Sequence, residues 1–316
     1  MPSNPKSTRM TYRFLGNSGL LVSKLSLGSW MDVNDKYTAD AWYDMMKLAF
    51  EHGVNFFDNA EVYGGGLAEK NMGAAIKKGI AEGTWSREDL VITTKIFFGP
   101  KDFMAERRPN EMGLSRKHIV EGTKASLKRL EQEYVDVIFC HRPEPYTPIE
   151  ETVRAMNYVI NQGWAFYWGT SQWSAAEIIE ACEIADRLGL IRPIVEQTIY
   201  SILDRNKVEF EYVDLYKKYK LDFAERVAKA DKLKPLAEKL GISMAELAVA
   251  WCVSNENVST VMIGAKTMEQ LEQNLKAVEA LEKITSDVKA EIDSLVPFVP
   301  ELSKSIGSEM TRGHFL

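Results

Sequence analysis

Short apolar runs alternate with helical segments along most of this chain, and that alternation leaves few folds open. The runs Leu25 to Trp30, Asn55 to Asp58, Leu90 to Thr94, Tyr134 to Cys140, Ala165 to Gly169, Ile194 to Glu196 and Val258 to Ile263 read as buried strands. Thr38 to Glu51, Ala68 to Ile80, Ser115 to Leu130, Ile149 to Ile160, Ala175 to Leu188 and Lys207 to Tyr219 read as the helices between them. Ser115 opens one helix as an N-cap, and Gly53 and Gly189 close two others. Met244 to Val253, Thr267 to Val278 and Ser286 to Leu295 supply three later helices. Such alternation argues for a parallel α/β sheet. Strands of similar length over a core of about 250 residues argue for a (β/α)8 barrel. An open doubly wound sheet that bound a dinucleotide would want G-x-G-x-x-G after its first strand. The chain has Gly28-Ser29-Trp30-Met31 there, and Gly64-Gly65-Gly66 does not fit that spacing. Ahead of the barrel, Tyr12-Arg13-Phe14 and Leu20-Leu21-Val22 flank a Gly16 to Gly19 turn cluster and read as a β-hairpin. Met1 to Met10 is polar and reads as a disordered tail, which leaves residues 11–316 as one domain.

Composition narrows the function. The net charge is −6 with no basic stripe, so nucleic acid is not an expected partner. The chain lacks both the long apolar run of a membrane span and a charged-apolar-small leader. Cys140, Cys182 and Cys252 lie far apart in apolar segments, which suits buried packing in a reducing compartment. The four histidines include no His-x-x-x-His pair, and there is no Cys-x-x-Cys, so no metal is expected.

In a barrel the strand C-termini share one face, where chemistry collects. The residues at these ends are Asp58, Lys95, His141, Ser171, Gln172, Gln197 and Gly264, with Tyr63 in the loop after Asp58. On its own stretch Asp58 could be a turn cap and Tyr63 a packing residue. Asp, Lys and His at the ends of three successive strands favour a chemical reading. A phenol is a poor acid at neutral pH, and an ammonium beside it stabilises the phenolate. Asp58 would hold Lys95 charged and in place, and His141 would donate to a substrate carbonyl oxygen. Together they make a proton donor and an oxyanion site, as carbonyl reduction requires.

Several longer motifs carry a family resemblance. They are Asn59-Ala60-Glu61-Val62-Tyr63, Ile92-Thr93-Thr94-Lys95, Gly113-Leu114-Ser115-Arg116-Lys117-His118, His141-Arg142-Pro143 and Tyr167-Trp168-Gly169-Thr170-Ser171. These resemble aldo-keto reductases, and more narrowly the branch that holds the β subunits of voltage-gated potassium channels. The similarity runs from about Thr11 to Leu221 and from about Phe223 to Leu295. The resemblance implies a (β/α)8 barrel, NADPH as cofactor and a catalytic tetrad of Asp58, Tyr63, Lys95 and His141. Animal channel subunits carry Asn in the position of His141; this chain has His, as do plant-type members, which favours catalysis. Ser29 and Trp30 match positions lining the nicotinamide site. Ser171 and Gln197 match residues that bond the carboxamide, with Gln172 beside them. Gly264, Lys266, Gln270, Gln273 and Asn274 match the segment that binds the adenosine 2′-phosphate and adenine, where Gln273 replaces the more usual Glu. The implied function is NADPH-dependent reduction of an aldehyde or ketone. The alternative is a cytoplasmic regulatory β subunit on a potassium channel with weak or no catalysis. A homotetramer follows from the same resemblance. A third reading is a shortened, inactive interaction module.

One stretch departs from that pattern. Between the helix ending near Tyr219 and a helical reading of Phe223 to Leu233 lie only Lys220-Leu221-Asp222. The family has its seventh strand here, ending in Trp-Ser-Pro-Leu, and then a long loop that clasps the pyrophosphate. Neither is in the sequence, and the strand count comes to seven. The expectation is a chain break at Leu221–Asp222 or a barrel short of one strand.

Overall fold

The computed structural model describes residues 10–30, 37–101, 105–219, 222–225, 233–300 and 311–315. A hairpin of β1 (Tyr12–Phe14) and β2 (Leu21–Ser23) comes first, paired antiparallel with Phe14 opposite Leu21. Eight parallel strands then close a barrel in the order β10-β3-β4-β5-β6-β7-β8-β9. They are β3 (Leu25–Gly28), β4 (Phe56–Asp58), β5 (Val91–Ile96), β6 (Val135–Cys140), β7 (Ala165–Ser171), β8 (Val195–Gln197), β9 (Asp222–Glu225) and β10 (Thr260–Ile263).

Outside the barrel lie α1 (Ala39–Glu51), α2 (Leu67–Ala81), α3 (Arg116–Leu130), α4 (Ile149–Asn161), α5 (Ala175–Leu188) and α6 (Val213–Tyr219). They continue with α7 (Lys234–Leu240), α8 (Met244–Val253), α9 (Met268–Leu275) and α10 (Ser286–Leu295). Their starts follow side-chain chemistry. Thr38, Ser115, Ser174, Ser243, Thr267 and Thr285 each accept a backbone N–H from the first turn of the helix they open. Each such cap contributes about 1 kcal/mol.

Period-two alternation sends strand side chains to two cores. Phe56, Val91, Val137, Phe139 and Val195 point into the barrel, where Leu15 and Val22 of the hairpin join them. Their neighbours Phe57, Ile92, Ile138 and Cys140 point outward and pack with the helices. The hairpin therefore plugs the N-terminal end of the barrel. Asn55 holds it there, accepting from the Ser23 N–H at 2.8 Å and donating to the Leu21 carbonyl at 3.0 Å. With that end closed, the C-terminal strand ends form the open face.

The seven-strand count is corrected by this architecture. The segment beginning at Phe223, read as helix from its sequence, is strand β9. It pairs with β8 through Glu196 and Phe223, and with β10 through Thr260 and Ala224. Without it β8 and β10 would each present an open edge of unpaired N–H and C=O groups. Closing those edges outweighs the modest helix preference of Ala224 and Glu225. The Trp-Ser-Pro-Leu segment is still absent, and only residues 226–232 separate β9 from the turn into α7. Those residues, the Lys220-Leu221 side of the join and residues 1–9 lie outside the described residues. Met10, assigned to the tail from sequence, is buried against the core. The Lys207 helix opens as a π-turn over Lys207–Glu211 before α6, and α9 gives way to a 3-10 stretch at Lys276–Lys283.

Candidate active site

Lys95 sits near the end of β5 and is wholly buried. A buried ammonium is costly unless it is paired and its donors are used. It donates to the Asp58 carboxylate, to the Asn59 carbonyl at 2.8 Å and to the Tyr63 hydroxyl at 3.2 Å. Sheet register explains the pairing, since Asp58 of β4 lies beside Thr93 of β5, two residues before Lys95. The Thr93 hydroxyl donates to the other Asp58 oxygen at 2.7 Å. Tyr63 is brought back over Lys95 by a tight turn in which Gly64, Gly65 and Gly66 have φ of 58°, 62° and 90°. That left-handed run explains the three glycines. At Gly66 a side chain would also meet Arg129 at 2.9 Å.

His141 follows β6, and its ring stands edge-on to Tyr63 with centroids 5.7 Å apart. Burial, then the nearby charges of Lys95 and Arg142, hold its pKa well below the ordinary histidine value. The imidazole is thus neutral at neutral pH. Its Nδ1 is buried and has no hydrogen-bond partner among the described residues. Trp30, about half exposed, stacks on Tyr63 at 6.2 Å. These groups open onto a cleft of about 210 Å3 that Asp58, Tyr63, His141, Trp30, Ser171, Gln172, Gln197 and Gly264 also line.

Eight of the residues singled out from sequence therefore meet in one cleft, and Lys95 lies directly beneath it. Ser29 is buried behind the wall, its hydroxyl without a partner among the described residues. Lys266, Gln270, Gln273 and Asn274 lie outside the cleft, at and beyond the start of α9. They continue from Gly264: the Asn274 amide donates to the Gly264 carbonyl at 3.2 Å, and Gln270 accepts from the Lys266 N–H at 2.9 Å.

Sequence reasoning passed over Arg142, Thr198, Ile199, Met262 and Ile263, which also line the cleft. Adjacency to a strand-end residue was the available signal for Arg142 and Thr198. It also passed over Glu61, a buried brace. One Glu61 oxygen accepts from the N–H groups of Phe97 and Gly99 at 2.6 and 2.7 Å and pairs with His118 at 3.1 Å. Burial works against its charged form, but His118 and the two N–H groups hold its pKa below the usual carboxylate range. Glu61 thereby ties the Tyr63 loop to the loop after β5.

Glu196, wholly buried on β8, behaves oppositely: burial raises its pKa from 4.5 to about 8 despite Lys207. The folded state then holds a proton that the unfolded state releases, so stability falls as pH rises from about 4.5 to about 8. Glu196→Gln should flatten that slope. Thermal melts at pH 5, 7 and 9 should show the variant gaining on the parent as pH rises; parallel curves would count against a protonated Glu196.

With the geometry in hand, comparison with known proteins is specific. The aldo/keto reductase family model matches residues 24–225 and 214–297, two segments that overlap across α6 and β9. A protein named "Probable voltage-gated potassium channel subunit beta" from Arabidopsis thaliana is 45% identical over 94% of this chain and 99% of its own length. A protein of the same name from Oryza sativa subsp. japonica is 42% identical over the same shares. Both align over 336 positions, more than the 316 residues of this chain. A crystal structure of a thermostable aldo-keto reductase in complex with the inhibitor epalrestat superposes with a TM-score of 0.76 at 28% identity, covering 90% of this chain and all of that one. The family match covers well over half the chain, and it agrees with the barrel: this chain belongs to the aldo/keto reductase family.

Proposed function

We propose that the chain is an NADPH-dependent carbonyl reductase, a single domain over residues 11–316, that converts an aldehyde or ketone to an alcohol. The observation that carries this reading is the Tyr63 hydroxyl, held 3.2 Å from a buried Lys95 ammonium that is itself clamped on Asp58. The reduced nicotinamide, when bound, supplies the hydride to the carbonyl carbon. Tyr63 gives its proton to the carbonyl oxygen, and Lys95 stabilises the phenolate left behind. Neutral His141 donates a ring N–H to the same oxygen and so favours the charge that develops there. Asp58 balances Lys95 and keeps that ammonium aimed at Tyr63. Solvent then returns the proton to Tyr63.

The cleft fits a nicotinamide on chemical grounds. Ser171, Gln172 and Gln197 present hydroxyl and amide groups suited to a carboxamide, and Trp30 gives an aromatic wall. Lys266 is an exposed cation just ahead of α9, where helix-start N–H groups also favour anions, and suits a 2′-phosphate with Gln270, Gln273 and Asn274 around the adenine. NADPH oxidation followed at 340 nm with an aromatic aldehyde tests the reading. Activity that requires aldehyde and falls in Lys266→Met, with NADH as the poorer donor, is expected; no turnover with any aldehyde would remove it.

A second reading coexists with the first. The 42–45% identical relatives carry a channel-subunit name over nearly their full length, which supports a cytoplasmic β subunit on a voltage-gated potassium channel. Among the described residues no helix is long and apolar enough to cross a membrane. A homotetramer that co-purifies with a channel cytoplasmic domain is the expected result. Light scattering that finds only monomer at micromolar concentration would count against it.

A further inference from the structure

Beyond helping to keep His141 neutral, Arg142 has no part in the chemistry above, yet it lines the same cleft as Tyr63 and His141. Its one hydrogen bond among the described residues runs from Nη1 to the carbonyl of its own neighbour His141, at 2.6 Å. The guanidinium lies 5.9 Å from the centre of the Phe98 ring, and that ring packs edge-on against His141 at 5.3 Å. No carboxylate among the described residues forms an ion pair with it. The other formal charges at the cleft, Asp58 and Lys95, cancel each other. Glu196, the carboxyl whose field reaches Arg142, is wholly buried on β8 and makes no ion pair with it. A partly buried guanidinium with spare N–H donors, paired to no carboxylate among the described residues, therefore faces the cleft.

We propose that Arg142 makes this site selective for carbonyl substrates that carry a carboxylate, the class of aldehyde and keto acids. The planar guanidinium grips the carboxylate through paired N–H donors while the carbonyl oxygen meets Tyr63 and His141. Arg142 touches the substrate but not the reacting atoms, so it sets specificity and leaves the proton and hydride steps unchanged in kind. The proposal rests on the reductase reading.

The test compares 4-carboxybenzaldehyde with 4-methylbenzaldehyde, which differ little in shape and by one charge. With NADPH in excess, the parent should favour the carboxylate about ten- to a hundredfold in kcat/KM, the worth of a charge-assisted hydrogen bond. Arg142→Met should bring that ratio close to one, mainly through KM for the carboxylate, and Arg142→Lys should recover part of it. A parent ratio near one, or an unchanged ratio in Arg142→Met, would overturn the proposal. Should neither aldehyde turn over, the reductase reading fails, and calorimetric titration of benzoate into the NADP-loaded protein decides the rest. Binding that weakens tenfold or more in Arg142→Met keeps Arg142 as an anion site; equal binding removes it.

Discussion

Tyr63→Phe should lower carbonyl reduction by about 10²- to 10⁴-fold, the usual worth of a positioned general acid, while NADPH binding stays close to that of the parent. The substitution deletes one oxygen. The Phe ring can keep the stacking on Trp30 and the edge contact with His141, so the walls of the cleft persist. What is lost is the one hydroxyl that Lys95 reaches at 3.2 Å. Lys95 keeps Asp58 and the Asn59 carbonyl as partners, which limits the structural cost. Steady-state rates with a neutral aromatic aldehyde, beside a nicotinamide fluorescence titration, separate the two effects. Activity within a few-fold of the parent would take the proton-donor role from Tyr63.

Lys95→Met should be equally inactive and much less stable. It leaves the Asp58 carboxylate buried with, among the described residues, only the Thr93 hydroxyl to satisfy it. Breaking a buried pair by removing one partner costs about 3–5 kcal/mol, because the remaining charge is uncompensated. For a chain of this size that is a fall in Tm on the order of 10 °C. The double variant Asp58→Asn with Lys95→Met removes both charges and should recover most of the stability with none of the activity. Stability and function are thus separable at one pair. A single variant that melts with the parent would show that the pair is solvated in solution and contributes little.

Which parts of this molecule the sequence announced follows from how local each signal is. Asp58, Lys95 and His141 were legible because each ends an apolar run, and a barrel sends all such ends to one face. Ser115 was legible as a cap because the N-cap bond spans only a few residues. Strand β9 was not. Asp222-Phe223-Ala224-Glu225 has no strand-like pattern of its own, and its conformation comes from the edges of β8 and β10, which approach it only once the barrel curls. Arg142 and Glu61 were hidden for a related reason. An arginine after a histidine looks like any loop residue until the cleft places it, and the bonds of Glu61 to Phe97 and Gly99 cross more than thirty residues. Of the residues expected at the adenosine end, Gly264 lines the cleft, while Lys266, Gln270, Gln273 and Asn274 lie outside it on the run into and along α9.

The central claim is that hydride and proton meet one carbonyl at Tyr63. The direct measurement is isotopic. The protein is mixed with an aromatic aldehyde and NADPH deuterated at both C4 positions, and the alcohol is analysed by mass spectrometry. The account predicts one deuterium on the carbinol carbon with the parent and almost no labelled alcohol with Tyr63→Phe at the same time point. Unlabelled alcohol, or no alcohol from protein shown by fluorescence to hold NADPH, would contradict it.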